Sequence, residues 1–204
     1  MATLITDPEL ERQIRERRSQ RGVDWHDEVW EGTYVMNPLA NLEHSEIQAG
    51  LVVAIRAALG LSHPAKVYPG VNVSDRAEGW TENYRCPDVA VIFPENPGRN
   101  CDSYFLGGPD FLVEVMSPHD QSREKIAFYS DVRVRELLLI NRNPWALELY
   151  RLQGAQLELT GQSRLEQPDA LASSVLPVTF RLVAGEDRPR IEVRHVDGIQ
   201  EWLV

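Results

Sequence analysis

DVAVIF (Asp88–Phe93) and FLVEVM (Phe111–Met116) are the two stretches of sequence that decide the fold. Both are short, β-branched and almost continuously apolar, which is typical of strands covered on both faces. Each carries one carboxylate, Asp88 at the head of the first and Glu114 inside the second. Alternation along a strand places Glu114 on the same face as Leu112, toward the core. A carboxylate in that position needs a cation, a hydrogen-bond network or a raised pKa.

The patterns on either side predict helices and further strands around this pair. The loop between the two strands, Pro94–Pro109, is rich in Pro, Gly and Asn, and a loop of that length in a compact domain is usually functional or mobile. The other expected elements are a helix from Asp7 to Arg21, a strand over Val29–Met36 interrupted by a turn or bulge at Glu31-Gly32, a helix over Asn41–Leu59 closed by Gly60, an extended Lys66–Val73, a helix over Asp120–Asp131, a strand over Glu136–Ile140, a hairpin of Trp145–Leu152 with Leu157–Thr160, and extended Val175–Val183 and Ile191–Val196.

This order of helix, strands, helix and strands predicts an α/β fold of the α+β kind, a mixed sheet with helices packed on it. The length of 204 residues, with 43% hydrophobic and 25% charged residues, fits one folded domain with a substantial core. We expect an N-terminal helical extension over residues 1–24 and a single domain over residues 25–204.

The charge and cysteine content narrow the class of protein. A formal net charge of -10 argues against a protein whose main task is to coat nucleic acid, although an enzyme with a local DNA contact and bound divalent cations remains compatible. Two cysteines, Cys86 and Cys101, make neither a CxxC metal motif nor a disulfide framework. Residues 1–21 lack the pattern of a signal peptide, and no apolar run approaches the ~20 residues of a membrane span. We therefore expect a cytoplasmic protein without a membrane partner.

Asp88, Glu114 and Lys125 are the candidate catalytic residues. Two carboxylates on neighbouring strand ends can share a divalent ion, and Mg²⁺ commonly accepts one or two protein carboxylates and fills its other positions with water and substrate phosphate. Lys125 lies one helical turn from Phe128 and Tyr129, which should face the sheet, so its ammonium can reach the same place. There it would orient an attacking water or stabilise a developing phosphate charge.

Each of these residues also has a purely structural interpretation. Asp88 follows a proline and could cap a turn, Glu114 could pair with an arginine, and Lys125 could be a surface lysine with a buried stem. His44 lies on the apolar stripe of the long helix, where a histidine is more often a core residue than a ligand. The arginine-rich first helix is interpreted as solvated, with a partner-binding or DNA-contacting arm as the alternative.

Together the motifs resemble the Uma-two family of restriction-endonuclease-like proteins in the PD-(D/E)xK superfamily. The matching segments are Pro87–Val91, Leu112–Pro118, Lys125 with Tyr129, Glu136–Ile140, Glu31–Pro38, His44 and Ser174–Pro177. The resemblance implies a restriction-endonuclease-like core with flanking helices, with Asp88 and Glu114 as the metal-binding acids and His44 as an auxiliary residue beside the metal. The superfamily lysine usually stands two residues beyond the second acid, where this chain has Met116. The resemblance implies that Lys125 replaces it from the next helix.

The leading hypothesis is a Mg²⁺-dependent endonuclease, with Mn²⁺ as the alternative ion, that hydrolyses DNA by metal-activated water and acts as a homodimer. This hypothesis places the opening of the site between the loop Pro94–Pro109 and the helix of His44. Two alternatives stay open. One is a catalytically silent binding or regulatory protein with a nuclease fold, which Met116 and the acidic balance favour. The other is a metal-dependent hydrolase of a smaller phosphate ester.

Overall fold

The computed structural model describes residues 3–4, 7–37, 39–116 and 122–204. The helices within these ranges are α1 (Pro8–Gln20), α2 (Leu42–Leu59) and α3 (Lys125–Asp131), with 3-10 helices at Trp80–Glu82 and Ser122–Glu124. The strands are β1 (Thr3–Leu4), β2 (Glu28–Trp30), β3 (Thr33–Met36), β4 (Lys66–Pro69), β5 (Val73–Ser74), β6 (Tyr84–Arg85), β7 (Val89–Ile92), β8 (Arg99–Asn100), β9 (Phe105–Leu106), β10 (Phe111–Val115), β11 (Glu136–Arg142), β12 (Trp145–Gln153), β13 (Gln156–Ser163), β14 (Leu171–Ala172), β15 (Val178–Val183), β16 (Arg190–His195) and β17 (Glu201–Leu203).

A six-stranded sheet in the order β13-β12-β11-β10-β7-β4 forms the centre of the described structure. The two deciding strands are neighbours in it, since β10 pairs antiparallel with β7 and Leu112 lies opposite Ala90. On its other side β10 pairs parallel with β11. The sheet is therefore mixed, and the predicted α/β fold class is confirmed.

Two layers of apolar side chains cover the faces of this sheet. Alternate residues of β10, such as Phe111 and Val113, pack with Ile47 and Leu51 of α2 and with the C-terminal strands. Leu112, which points the other way, packs with Phe128 and Tyr129 of α3. Glu114 shares the face of Leu112, so the structure directs it toward α3 as the alternation predicted.

Helix α2 is placed by a cap at each end and by its buried stripe. The Asn41 side chain accepts a hydrogen bond from the His44 amide at 2.9 Å, and Gly60 ends the helix with a φ of 84°. The residues of the stripe, His44, Ile47, Leu51 and Ile55, are buried. The predicted helix over Asn41–Leu59 is confirmed, and its first turn points toward the start of β7.

Two smaller sheets flank the central one among the described residues. One joins short strands in the order β1-β3-β2-β6-β5-β9-β8, and the other joins β14-β15-β16-β17. β2 and β3 form a hairpin around Glu31-Gly32, as predicted. No helix of the described chain is both long and apolar enough to span a membrane.

Hydrogen bonds of Arg18 attach the first helix, α1, to the chain that follows it. Arg18 donates to both carboxylate oxygens of Asp27, at 2.5 and 2.7 Å, and to the carbonyl oxygens of Val23 and Asn37. Other arginines of the helix pair with its own acids, as Arg12 does with Glu9 and Glu16. These pairs favour the solvated peripheral helix over a DNA-contacting arm.

Three predicted elements differ from the structure. The loop Pro94–Pro109 contains β8 and β9, which are too short to show a period and exist because they pair with each other and with β5. The predicted helix Asp120–Asp131 is a 3-10 turn followed by α3 from Lys125, and its first two residues lie outside the described ranges. The strand predicted from Val175 begins at Val178, because Pro177 has no amide to donate to a partner strand.

Candidate active site

Glu114 and Lys125 form a buried ion pair between β10 and α3. The Lys125 Nζ lies 3.1 and 3.2 Å from the two carboxylate oxygens of Glu114. One turn further along α3, the Tyr129 hydroxyl donates to Glu114 Oε1 at 2.5 Å. Glu114 is 3% exposed and Lys125 6%, so the pair is closed off from bulk water. Neither the surface lysine nor the arginine partner considered for these two residues is found.

A third carboxylate, Glu28 of β2, completes this cluster. Its side chain is fully buried, and its Oε1 lies 2.8 Å from Lys125 Nζ. The Cys86 amide donates to the same oxygen at 2.8 Å, and the Trp30 indole donates to Oε2 at 2.6 Å. Sequence reasoning missed Glu28. The available signal was an acid inside the short apolar run EVW, which is too short to show which face it occupies.

Asp88 stands at the head of β7 and joins three elements. Its Oδ2 accepts a hydrogen bond from the Val115 amide at 2.6 Å, which ties it to the end of β10. Its Oδ1 lies 3.2 Å from His44 Nε2 in the first turn of α2. Its backbone carbonyl accepts from the Gln48 side chain at 2.7 Å. Asp88 therefore links the neighbouring strand to α2 rather than capping a turn.

His44 has one engaged and one unengaged ring nitrogen among the described residues. Nε2 faces Asp88, whereas the buried Nδ1 has no hydrogen-bond partner within the ranges that the structure describes. The pairing with a carboxylate fixes the orientation of the ring. The structure therefore places the His44 ring against the Asp88 carboxylate.

The cluster carries more negative than positive charge. Burial raises the pKa of Glu114 to about 8; Lys125 opposes this shift, while the charges of Asp88 and Glu28 add to it. Burial also raises the pKa of Tyr129 well above its ordinary value, so its hydroxyl remains a donor. Among the described residues, the three carboxylates of Glu28, Asp88 and Glu114 outnumber the one ammonium of Lys125 if all are ionised. Such a deficit is the electrostatic setting in which a divalent cation or a proton binds.

A second buried cation, Arg85 of β6, lies behind Glu28. Its guanidinium stacks between the rings of Trp30 and Phe128, at 4.6 and 4.3 Å from their centres. Burial lowers the pKa of Arg85, and the charge of Glu28 opposes that shift. Arg85 reduces the charge deficit at long range, but its hydrogen bonds go to Asn83 and to backbone carbonyls of β2 and β6.

The donor set fits a hard divalent cation. Asp88 and Glu114 supply carboxylate oxygens, which Mg²⁺ and Mn²⁺ prefer. Among the described residues, no group of three or more His, Cys, Asp and Glu side chains is arranged to hold a metal ion. An ion bound by these two acids would therefore complete its shell with water, backbone or substrate oxygens, as Mg²⁺ commonly does.

A cleft of about 830 Å³ lies beside the cluster, along the loop Pro94–Pro109. Its wall includes Trp25, His26, Tyr68 and Tyr104, and it reaches the cluster only at Cys86, whose amide holds Glu28. Asp88, Glu114 and Lys125 do not line it. The loop named by the sequence thus borders an opening, but the helix of His44, predicted as its other wall, does not line it, and neither do the two acids.

The structure brings together the four residues singled out in the sequence. Glu114 and Lys125 are in direct contact, and Asp88 and His44 form the second pair at the adjoining strand end. At Met116, where the superfamily lysine usually stands, the backbone continues the pairing of β10 by donating to the Ile140 carbonyl at 2.9 Å. Residues 117–121, with the predicted start of the helix at Asp120, lie outside the described residues.

Comparison with known proteins connects this geometry to a family. The family model described as "Uma2: Putative restriction endonuclease" matches residues 10–185. Among solved structures, the chain is similar to "a putative nuclease belonging to DUF820" from Anabaena variabilis ATCC 29413, with a TM-score of 0.56 and 23% sequence identity over 72% of this chain and 80% of that one. At that identity the likeness shows the fold. No curated protein matches the chain significantly.

Proposed function

This chain belongs to the Uma2 family, and from that premise we propose that it is a Mg²⁺-dependent nuclease that hydrolyses phosphodiester bonds of DNA. The observation that supports this proposal best is the buried contact of Lys125 with Glu114, beside Asp88 on the neighbouring strand. A lysine and two acids are the groups needed for metal-assisted attack of water on a phosphodiester.

Each residue has a role that its surroundings permit. Asp88 and Glu114 would hold the ion, and Mn²⁺ would substitute for Mg²⁺. A bound ion would polarise the phosphoryl oxygen and lower the pKa of a water ligand. Lys125 would donate hydrogen bonds to the attacking water or to the phosphate oxygens. His44 would keep the Asp88 carboxylate oriented through the 3.2 Å contact at Oδ1.

The proposal includes a limited DNA contact and a two-fold assembly. A net charge of -10 leaves little basic surface for long duplex contacts, so the contact would be local. A two-fold pair would present one site to each strand of a duplex. The exposed apolar residues Ile199 and Leu203 near the C-terminus are available for it. The mass in solution by light scattering tests this part, and a monomer would contradict it.

A nuclease-fold binding protein without chemistry is the second candidate. It is favoured by the engagement of both acids with protein groups, Glu114 with Lys125 and Tyr129, and Asp88 with Val115 and His44. Substrate would need room that the low exposure of these acids does not offer in this conformation. This candidate predicts binding of divalent ions without turnover.

Cleavage of plasmid and single-stranded DNA with Mg²⁺ or Mn²⁺ tests the proposal. We expect Glu114→Gln and Lys125→Met to lower the cleavage rate by ~100-fold or more, as for loss of a group that stabilises charge in the transition state. Glu148→Gln is the matched control, because Glu148 is also a buried acid on the central sheet but pairs with Arg123 instead. Cleavage that survives both site variants would indicate a contaminant. Mn²⁺ binding in calorimetry with no cleavage would favour the silent protein.

A further inference from the structure

We propose that Glu28 is a positioning residue that holds the Lys125 ammonium in place while Glu114 changes partner. This inference rests on the proposed function, since it assigns Glu28 a task in the same site. Neither the sequence motifs nor the family resemblance singled out Glu28. It is the most deeply buried of the three acids of the site, Glu28, Asp88 and Glu114, with no exposed surface.

Among the described residues, two carboxylates contact Lys125, and the contacts of Glu28 make it the more firmly fixed of the two. Glu28 Oε1 is the nearer oxygen to Lys125 Nζ, at 2.8 Å against 3.1 and 3.2 Å for Glu114. Two further donors fix Glu28: the backbone amide of Cys86 and the indole of Trp30. The side-chain donors to Glu114 both come from α3, namely Lys125 and Tyr129. Glu28 is therefore anchored to its own sheet, whereas Glu114 depends on the helix.

This difference matters because a lysine side chain is flexible. Its four-carbon stem lets the ammonium move unless a fixed anion defines its position. If Glu114 turns its oxygens toward a divalent ion, the buried Lys125 ammonium loses its hydrogen bonds to that carboxylate. Glu28 would still accept a hydrogen bond from Nζ and would keep the ammonium within the ~0.5 Å that a productive arrangement tolerates.

Glu28 acts through Lys125 and not as a further ligand. Both of its oxygens already accept hydrogen bonds from protein donors, Oε1 from Cys86 and Lys125 and Oε2 from Trp30. A cation at Oε1 would have to displace the Cys86 amide or Lys125, and one at Oε2 would have to share that oxygen with the Trp30 indole. Glu28 thus differs from Asp88 and Glu114, which come from the adjoining strands β7 and β10.

The first test is a double-mutant cycle in cleavage kinetics with Glu28→Gln, Lys125→Met and the double variant. Glu28→Gln is expected to lower kcat by ~10- to 100-fold with KM nearly unchanged, as for loss of a residue that orients a site group. The double variant should be no slower than Lys125→Met alone, because Glu28 acts only through the lysine. Losses in kcat that multiply in the double variant would overturn the proposal, as would full activity of Glu28→Gln.

The second test needs no cleavage and uses urea unfolding of the same four proteins at pH 9. Glu28→Gln should lower the unfolding midpoint when Lys125 is present, because the buried ammonium loses its nearest anion. It should raise the midpoint in the Lys125→Met protein, because an uncompensated buried carboxylate is removed. Equal losses in both backgrounds would overturn the proposal. A wild-type protein that cleaves nothing would contradict the proposed function, while this cycle would still decide whether Glu28 holds Lys125.

Two milder variants guard against a folding defect. Trp30→Phe keeps the ring that stacks on Arg85 but removes the donor to Glu28 Oε2, so we expect a several-fold loss of kcat in a stable protein. Glu31→Gln is the matched control, since Glu31 lies three residues after Glu28 in the sequence. Its side chain is 69% exposed and pairs with Arg76 at the surface. Its kcat should stay within about twofold of wild type. An equal loss in Trp30→Phe and Glu31→Gln would contradict a specific role for Glu28.

Discussion

Glu114 and Glu148 occupy equivalent places in the central sheet, yet their surroundings are opposite. Glu114 lies on β10 and Glu148 on β12, with β11 between them. Leu139 of β11 pairs with Glu114 on one side and with Glu148 on the other. Arg123 donates two hydrogen bonds of 2.7 and 2.8 Å to the Glu148 carboxylate, and the Tyr150 hydroxyl donates a third of 2.9 Å. Glu114 instead shares its one lysine with Glu28.

The pKa values of these two carboxyls show what the difference does. Burial acts to raise the pKa of both carboxyls. For Glu148, hydrogen bonds from Arg123 and Tyr150 outweigh burial and hold the pKa below its ordinary value. For Glu114, burial prevails over Lys125 and raises the pKa to about 8. Glu148 therefore has a cation of its own, whereas Glu114 has too little positive charge around it to offset its burial. A pKa shifted in this way is typical of functional sites.

The largest expected effect comes from removing the two cations in turn. Lys125→Met leaves Glu28 and Glu114 buried without the cation that contacts both of them and should cost about 3–5 kcal/mol of unfolding free energy at pH 9. Arg123→Met should cost only about 1–2 kcal/mol, because the Arg123 side chain is 45% exposed and water can replace part of its contact with Glu148. Urea unfolding measures both variants. Equal losses would break the distinction between the two carboxylates.

The pH dependence of stability should have opposite signs for the two acids. The folded protein binds an extra proton at Glu114 between the ordinary pKa of 4.5 and about 8, so stability present below pH 4.5 is lost as the pH rises through that window. One proton accounts for at most about 1.4 kcal/mol per pH unit. Stability from Glu148 is present above 4.5 and lost as the pH falls through its lowered pKa.

Denaturant unfolding from pH 3 to pH 9 without divalent ions separates the two contributions. Glu114→Gln should flatten the curve between about pH 5 and pH 8, and Glu148→Gln should flatten only the acid limb. Addition of Mg²⁺ to the wild-type protein should restore stability at the alkaline end of the window, because an ion bound to the folded state stabilises it. An unchanged slope in Glu114→Gln would show that another group titrates there.

The smallest expected effects concern the two tyrosines. Tyr129→Phe removes the hydroxyl that donates to Glu114, deep under α3, and should cost about 1–3 kcal/mol at pH 9, where Glu114 is ionised. Tyr150→Phe should cost about 0.5–1.5 kcal/mol, because Arg123 keeps two hydrogen bonds to Glu148. Thermal unfolding of the two variants provides the comparison. A larger loss for Tyr150→Phe would reverse the ranking of the two clusters.

The sequence predicted the parts of the fold that carry a strong local signal. The apolar runs of β7, β10 and β11 and the stripe of α2 lie where they were expected, because burial on both faces of a strand or one face of a helix leaves a visible pattern. The two-residue strands β5, β8 and β14 were not predicted, since two residues are too few to show a period and each strand is defined by the segment with which it pairs.

The sequence could not separate Glu114 from Glu148 by pattern alone. Each is a single acid in an apolar strand, and the deciding difference is the residue that the neighbouring helical segment brings to it. The helical spacing of Lys125 with Phe128 and Tyr129 predicted that Lys125 faces the sheet, and Lys125 and Tyr129 both contact Glu114. Glu28 escaped because its contact with Lys125 joins distant parts of the chain, and no short pattern records such a contact.

The position of Lys125 between two sheets has a consequence for how the molecule unfolds. Its ammonium joins Glu28, in the sheet of short N-terminal strands, to Glu114, in the central sheet. Separating the two sheets would therefore leave buried charges on both sides without an opposite charge in contact. That raises the free energy of any state in which one sheet opens alone. Their opening is coupled, so the described N-terminal strands and the central sheet should behave as one cooperative unit and lose their protection against hydrogen exchange together.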